Sequence, residues 1–555
     1  MSIYIWIIFS AIALLTIIFL GLREFHMLQL NGYKTPEHSW WMKKNFKRYI
    51  LLIILFLGQF ILLGFPPYHQ VEISVENNEA VKEGFIRSTE ALAISSIITG
   101  VIDALNLFIL FANKPGKKFK KPFKYTARVK RMLITFFILI TAIFVGAFFS
   151  SKTVNSHFVN NIPFIIIGCG LYLTPILVPL SNLINKPIET AINNWYIGDA
   201  KKKLASMPDL HKVGITGSYG KTSMKFYLSE LLSSQYETLK TPESFNTPMG
   251  VTITVRRDLK PTHEYFICEM GARRVHEIKE LCGIANPHDG IITSVGPQHL
   301  ETFGSIENVV NTKFELADCV KANGGRIYLN YDNELIRAKV SEYPNAVTYG
   351  TAEGSMWRGS DVTVSDRGTE FTVTDPDGKT CRFGTKLLGE HSVQNLLGAI
   401  AYACGTGIPM EKLVLPVKRI AAVPHRLQLL DKGGGVTYID DAYNSNPSGC
   451  RAALAVLGLF DACRILVTPG MVELGAKQNE LNFEFGQEAA KACDYIVLVG
   501  KAQTQPIYDG IKDAGFDMEK VYVADGLNDA LAKANSYPTD KKRVVLLEND
   551  LPDNY

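Results

Sequence analysis

The sequence predicts an α-helical membrane region followed by an α/β region, and three observations carry that prediction. Five apolar stretches, at roughly 3–22, 49–65, 91–112, 132–150 and 163–183, each approach the ~20 residues that cross a bilayer as helix. From about 184 onward the apolar runs shorten and become β-rich, as in "HKVGIT", "YFICEM", "DGIITSV", "GRIYLN", "VTYIDD", "RILVTPG", "YIVLVG" and "RVVLLEN". Helix-like stretches separate them, the alternation expected of parallel α/β layers. Third, "VGITGSYGKTSMKFYL" at 213–228 is a strand that runs into a glycine-rich turn and then a helix.

A chain of 555 residues is long for one compact core, so several domains are expected. Hydrophobic residues make up 47% of it, which suits a chain of two characters. The formal net charge of +4 is too mild to imply nucleic acid, and no such partner is expected. The nine cysteines are scattered, with no C-x-x-C pair and no zinc-like spacing, as in a chain whose thiols stay reduced.

Taken in order, the first apolar stretch lacks the basic start and small-residue cleavage site of a signal peptide, so a membrane helix is expected there. The third carries Asp103 and Asn106 in its middle, which leaves a re-entrant or interfacial helix open. Loop charge supplies an orientation, because basic residues accumulate on the cytoplasmic side. Loops 23–48 and 113–131 are rich in Lys and Arg, whereas 68–90 is acidic and 151–162 holds only Lys152. Five spans with the N-terminus outside satisfy every loop. This predicts a multi-pass cell-membrane protein, with a lipid bilayer as partner and everything after about 184 in the cytoplasm. The basic loops serve either as topology signal alone or as a site for anionic lipid or a polyprenyl phosphate.

Within the second half, 351–386 alternates and closes on Asp-Gly, the pattern of a small hairpin insertion. A proline-containing connection near 412–426 marks a boundary. The expected domains are therefore 1–185, 186–415 and 416–555. In the glycine-rich turn, backbone N–H groups and a helix N-terminus make a cradle for phosphate. Gly217, Ser218, Gly220, Lys221, Thr222 and Ser223 form it, with Lys221 placed to reach the β/γ-phosphates and Thr222 to hold Mg2+. The strict G-x-x-x-x-G-K-[ST] spacing is not met, because Ile215 stands at the first glycine position and Gly214 lies one residue earlier.

The form Gly214-Ile-Thr-Gly-Ser-Tyr-Gly-Lys-Thr-Ser223 resembles the ATP loop of the Mur ligase family, and the resemblance extends well beyond it. "ESFNTPMGV" (243–251), "EMGARRVHEIKEL" (269–281), "TSVGPQHLETFGSIENVVNTKFEL" (293–316), "GEHSVQNLLGAIA" (389–401), "PHRLQ" (424–428), "IDDAYNSNP" (439–447) and "GMVELG" (470–475) follow in family order. The resemblance implies a P-loop Mur ligase central domain, a Rossmann-like C-terminal domain and ATP-dependent amide formation in bacterial cell-wall precursor synthesis. The wording is most similar to members that add D-alanyl-D-alanine to a UDP-N-acetylmuramoyl-tripeptide, through an acyl phosphate.

Such a reaction depends on charge neutralisation and alignment around ATP and Mg2+. Glu269 ends an apolar strand, where α/β sheets place ligands, and with Thr222 it is a candidate for the first ion. The resemblance implies that His299 binds metal and that Lys313, carbamylated, helps hold a second ion. That modification requires a lysine pKa lowered by its surroundings. Lys221, Lys313, His299 and Glu269 are thus the expected catalytic group. Asn395 resembles the residue that meets the adenine, with His391 in the same motif, and Ser392 stands where the family often has Asn. Arg426 resembles the arginine that reaches the ATP phosphates, and Asp441 the acid near the ribose. Asn246, Thr247, Asn444, Asn446 and Glu473 are expected beside the substrates.

One departure is plain: only about 26 residues separate the last apolar stretch from the ATP loop, too few for the UDP-sugar domain that begins soluble Mur ligases. A lipid-linked acceptor, presented by the membrane half, is the alternative this raises, with a different amino-acid donor open to it. An ATP-driven membrane transporter is a second alternative, which the series of ligase motifs disfavours.

Overall fold

The structure is a computed structural model that describes residues 3–45, 121–153 and 162–550, apart from 432, 434, 444, 445 and 473. The predicted spans 49–65 and 91–112, and the candidate substrate residues Asn444 and Glu473, lie outside the described residues. The chain divides into one compact unit up to Ile192 and a second from Asn193 onward.

The first unit holds α1 (Ile3–Leu30), α2 (Thr35–Lys44), α3 (Ala127–Thr153) and most of α4 (Ile162–Ala205). Ile17, Leu20, Phe25 and Leu28 pack with Met132, Phe136, Ile140, Leu177 and Val178. Phe25 meets Phe136 edge-on at 5.5 Å, a favoured aromatic geometry. The same helices are tied by polar groups: Arg131 pairs with Glu189 at 2.6 Å, Arg128 donates to Asn182 at 3.0 Å and Asn185 donates to Thr135 at 2.8 Å.

These observations correct the predicted multi-pass membrane location. Among the described residues, no helix is long and apolar enough to cross a membrane. The apolar stretches 3–22, 132–150 and 163–183 are parts of longer helices that also carry Arg23, Glu24, Arg128, Arg131, Lys186 and Glu189. α4 contains Pro175, Pro179 and Pro187, each of which removes a helical N–H. Their apolar residues serve at least in part to pack helix on helix.

The second unit is built on two sheets. The first has nine strands in the order β2-β3-β1-β4-β5-β6-β7-β8-β9. They are β1 (His211–Thr216), β2 (Thr238–Lys240), β3 (Tyr265–Glu269), β4 (Asp289–Ile292), β5 (Ile327–Asn330), β6 (Val347–Gly350), β7 (Trp357–Ser365), β8 (Gly368–Thr374) and β9 (Thr380–Thr385). Strands β2 to β7 pair in parallel and β7 to β9 antiparallel. The segment expected as a hairpin insertion is thus a three-stranded meander that extends the sheet. At its last turn Asp375 accepts from the N–H of Asp377 and Lys379, and Gly378 takes φ +81°.

Cores form on both faces of this sheet. One gathers Val213, Ile215, Met224, Leu228, Leu231, Val393, Leu396 and Ile400; the other gathers Phe266, Ile278, Leu281, Ile292, Val309, Phe314 and Val320. Because β1 lies between β3 and β4, with Ile215 opposite Glu269 and Thr216 opposite Ile292, three strand ends meet at one edge. That edge is where open α/β sheets receive ligands.

The second sheet has the order β10-β11-β15-β12-β13-β14. Its strands are β10 (Gln428–Asp431), β11 (Val436–Asp441), β12 (Cys463–Thr468), β13 (Tyr495–Val499), β14 (Val521–Ala524) and β15 (Arg543–Glu548). Only β10 runs antiparallel to its neighbour. This is a doubly wound α/β layer with its own core, which includes Ile439, Leu454, Leu466, Ile496 and Leu546.

Candidate active site

The glycine-rich turn leaves β1 and enters helix α5 (Lys221–Leu232). Two glycines are required there. Gly220 takes φ +79°, and a Cβ on it would stand 2.7 Å from the Asn395 amide; a Cβ on Gly217 would stand 2.1 Å from the Thr293 hydroxyl. The turn is anchored to the strand end after β4: Ser218 N–H donates to the Ser294 carbonyl at 2.6 Å, and the Ser218 hydroxyl exchanges bonds with Gly296. The Ser294 hydroxyl donates to the Tyr219 carbonyl at 3.0 Å. The Lys221 ammonium donates to the carbonyls of Gly217 and Ser218 at 2.7 and 2.9 Å. Burial lowers its pKa to about 8, against the attraction of Glu269.

Glu269 is the centre of the arrangement. Its Oε1 accepts from the Thr222 hydroxyl at 3.1 Å and from the Asn246 amide at 3.0 Å, and its Oε2 lies 2.8 Å from the Lys225 ammonium. Burial alone would raise its pKa, but Lys225, Lys221 and Asn246 outweigh that and hold it ionised below the usual range. Lys225, fully buried on α5, also donates to the Glu243 carbonyl. Its closeness to Oε2 is a buried ion pair, which leaves the carboxylate charged with the Thr222 hydroxyl on its other oxygen. An ionised carboxylate beside a hydroxyl is the donor set that a hard cation such as Mg2+ takes.

The other candidates divide into three sets. Lys313, on helix α6 (Ile306–Ala322), is 1% exposed, and burial, followed by the charge of Lys221, pushes its pKa well down. Glu277 and Glu315 oppose that shift, and no carboxylate lies within ion-pair distance among the described residues. His299 sits at φ +54° before a one-turn helix, and its carbonyl accepts from the Thr302 hydroxyl at 3.0 Å. Among the described residues no three His, Cys, Asp or Glu side chains gather so as to hold a metal ion, so Glu269 and His299 are not joined by a third such ligand.

The second set faces the turn from helix α7 (Glu390–Gly405) and the linker behind it. Asn395 abuts Gly220 and donates to the His391 carbonyl at 3.0 Å. His391 is held neutral, its pKa lowered to about 4 by burial and then by Arg426. Ser223 and Ser392 both stand beside the Tyr227 hydroxyl. Arg426 lies over the Tyr443 ring at 5.0 Å, and Asp441 accepts from the Leu427 N–H at 3.1 Å. Burial raises the Asp441 pKa to about 6, against the pull of Arg426.

The third set caps helices. Thr247 accepts from Gly250 N–H at 3.3 Å and Asn446 from Gly449 N–H at 3.0 Å, each at the start of a helix that opens with proline. Asn246, by contrast, reaches Glu269. Sequence reasoning missed Lys225 and Tyr443. The Tyr443 hydroxyl meets Ser244 at 2.8 Å, which joins the 436–447 stretch to the 243–247 loop. The only signal for Lys225 was a charge inside the buried run "SMKFYL", one turn after Lys221.

A family model described as the Mur ligase middle domain matches residues 215–403, and one described as Mur ligase, glutamate ligase domain, matches 425–548. The UDP-N-acetylmuramoyl-tripeptide--D-alanyl-D-alanine ligase of Escherichia coli (strain K12) is 30% identical over 344 residues, 60% of this chain and 73% of that one. The chain belongs to the Mur ligase family. A family member of the same name from Mycobacterium bovis is 36% identical over 361 residues, 60% of this chain and 69% of its own length. Among solved structures, a MurF ligase from Thermotoga maritima in complex with ADP aligns with a TM-score of 0.58 and 25% identity, over 65% of this chain and 81% of that one. MurF from Acinetobacter baumannii, at 23% identity and a TM-score of 0.58, covers 65% of this chain and 78% of its own, and shares the fold.

Proposed function

We propose that this Mur ligase joins D-alanyl-D-alanine to the tripeptide carboxylate of UDP-N-acetylmuramoyl-tripeptide at the expense of ATP, in peptidoglycan precursor synthesis. The observation that carries it is the buried Glu269 carboxylate, held by Thr222 and Asn246 at the mouth of an ATP-type loop, in a chain whose relatives bear that ligase name. The T. maritima relative was solved with ADP, which supports nucleotide binding by the matching loop.

The chemistry is two substitutions. The acceptor carboxylate oxygen attacks the γ-phosphorus of ATP, and ADP leaves; the amine then attacks the acyl carbon, and phosphate leaves with loss of a proton to solvent. Lys221 neutralises phosphate charge, and the glycine turn supplies N–H donors. Asn395 meets the adenine, and Arg426 and Asp441 approach the nucleotide from the linker. Asn246 orients Glu269, while Thr247 and Asn446 shape the loops that carry the substrates. Mg2+ bound here would neutralise the phosphates; Thr222 and Glu269 would hold it, with His299 and carbamylated Lys313 near a second ion. A depressed lysine pKa keeps the free amine available for CO2, which supports the Lys313 assignment. Division at 186–415 and 416–555 into ATP-binding and C-terminal domains fits the two sheets.

The lipid-linked acceptor, the bilayer partner and the transporter have no support in the relatives or the described residues. Purified protein given ATP, Mg2+, UDP-N-acetylmuramoyl-tripeptide and D-alanyl-D-alanine should release phosphate only when both peptide components are present. Release that ignores either component would overturn the proposal.

A further inference from the structure

Lys225 lies about one helical turn beyond Lys221 on α5, and the two ammonium groups have different partners. Lys221 binds the carbonyls of the glycine turn, whereas Lys225 binds Glu269 and the Glu243 carbonyl. The Glu243 end of that contact is an unusual piece of backbone. Glu243 takes φ +38°, a left-handed conformation that is strained for a non-glycine residue and persists only where surroundings hold it. Three residues later Asn246 returns to Glu269, and the Asn246 carbonyl accepts from Gly271 N–H at 2.9 Å. Lys225, Glu269, Asn246 and the 243–246 backbone therefore close a ring, in which one buried cation links the carboxylate to the loop.

Resting on the ligase reading above, we propose that Lys225 is a positioning residue: it sets the Glu269 carboxylate and the 243–247 loop in one geometry, so that the phosphate end and the acceptor end of the site are aligned together. Its side chain is 0% exposed and Glu269 is 1% exposed, so neither finds water as a substitute partner. Ser244, within the loop, is bonded in turn by Tyr443, so the position of the loop is passed on to the C-terminal sheet. A lysine that served the fold alone would not need to touch both the carboxylate and the loop that carries Asn246 and Thr247.

The test compares wild type, Lys225→Met and Lys225→Arg in steady-state kinetics with the UDP-tripeptide, alongside ADP titration without Mg2+ and a thermal melt. Wild-type turnover is the check on the ligase reading itself; its absence defeats that reading, whereas the comparisons among variants decide the role of Lys225. The expected result for Lys225→Met is a kcat at least 30-fold lower and an acceptor KM at least tenfold higher, with the ADP Kd within threefold of wild type. Lys225→Arg, which keeps the charge but changes the reach and shape of its contacts, should recover at least a tenfold part of the lost kcat while its acceptor KM stays at least threefold above wild type. Wild-type kcat and acceptor KM in a folded Lys225→Met, or a loss of ADP binding that accounts for the whole effect, would overturn the proposal. Should Lys225→Met fail to fold, Lys225→Arg decides: an acceptor KM raised at least threefold at unchanged ADP Kd supports the role, and a wild-type KM overturns it.

Discussion

Lys225 and Lys313 are both buried lysines beside the same strand ends, yet they sit in opposite electrostatic circumstances. Lys225 meets Glu269 at 2.8 Å and a backbone carbonyl. Lys313 stands 5.9 Å from the Phe303 ring centroid, and burial and Lys221 together drive its pKa down. The comparison teaches that burial does not determine what a lysine does; the partner does. A buried ammonium with a carboxylate serves as a fixed cation, whereas one without it tends to the neutral amine, which is nucleophilic.

The largest effect expected in this region is on Lys221, the third lysine, which faces the phosphates in the proposed reaction. Lys221→Ala should lower kcat/KM by about 1,000-fold, the order of losing a charge-stabilising group worth about 4 kcal/mol. Steady-state phosphate release checks it. Next, the two buried lysines should separate by stability. Glu269→Gln strips Lys225 of its counter-charge and should cost about 3–5 kcal/mol in urea unfolding. Lys313→Met replaces a poorly solvated amine with an apolar group and should leave stability unchanged or higher, while lowering activity about 100-fold if the amine carries the carbamate. Equal destabilisation by both substitutions would erase the distinction.

Titration sharpens the same contrast. The folded pKa of Lys313 lies well below its ordinary 10.5, so between those values the unfolded chain binds the extra proton. The contribution of Lys313 to stability is therefore complete above 10.5 and is lost as pH falls through its folded value. Urea unfolding across alkaline pH should show a shallower rise in Lys313→Met than in wild type. Asp441 has the opposite sign, with a folded pKa raised to about 6 from 3.8. Its contribution is present below 3.8 and lost as pH rises through about 6, so Asp441→Asn should remove a decline in stability over that window. The smallest effect expected is for Tyr443→Phe, which deletes the hydroxyl contact to Ser244 and should change the acceptor KM about two- to fivefold, near 0.5–1 kcal/mol.

Much of the α/β half was legible because its signals are local. A glycine turn between an apolar strand and a helix announces itself in ten residues, and Glu269 is marked by following four buried strand residues. Lys225 was not legible, because its meaning comes from Glu269 and Glu243, which lie 44 and 18 positions away in the chain and meet it only through the β1–β3 pairing. The helix-capping bonds of Thr247 and Asn446 were not legible, because Asn-Thr-Pro and Asn-Pro read alike whether the polar group faces a ligand or caps a helix. The membrane reading failed for a related reason. Hydropathy registers the apolar residues of α1, α3 and α4, but Phe25 packed on Phe136 and a lipid-facing Phe have the same hydropathy, and Arg131–Glu189 is visible only when the helices are side by side.

The most direct test of the central claim is mass spectrometry of the product formed from ATP, UDP-N-acetylmuramoyl-tripeptide and D-alanyl-D-alanine, with Lys221→Ala in parallel. The account predicts a UDP-N-acetylmuramoyl-pentapeptide from wild type, matched by equal ADP and phosphate, and at most a trace from the variant. ATP turnover without that amide, or equal product from Lys221→Ala, would contradict it.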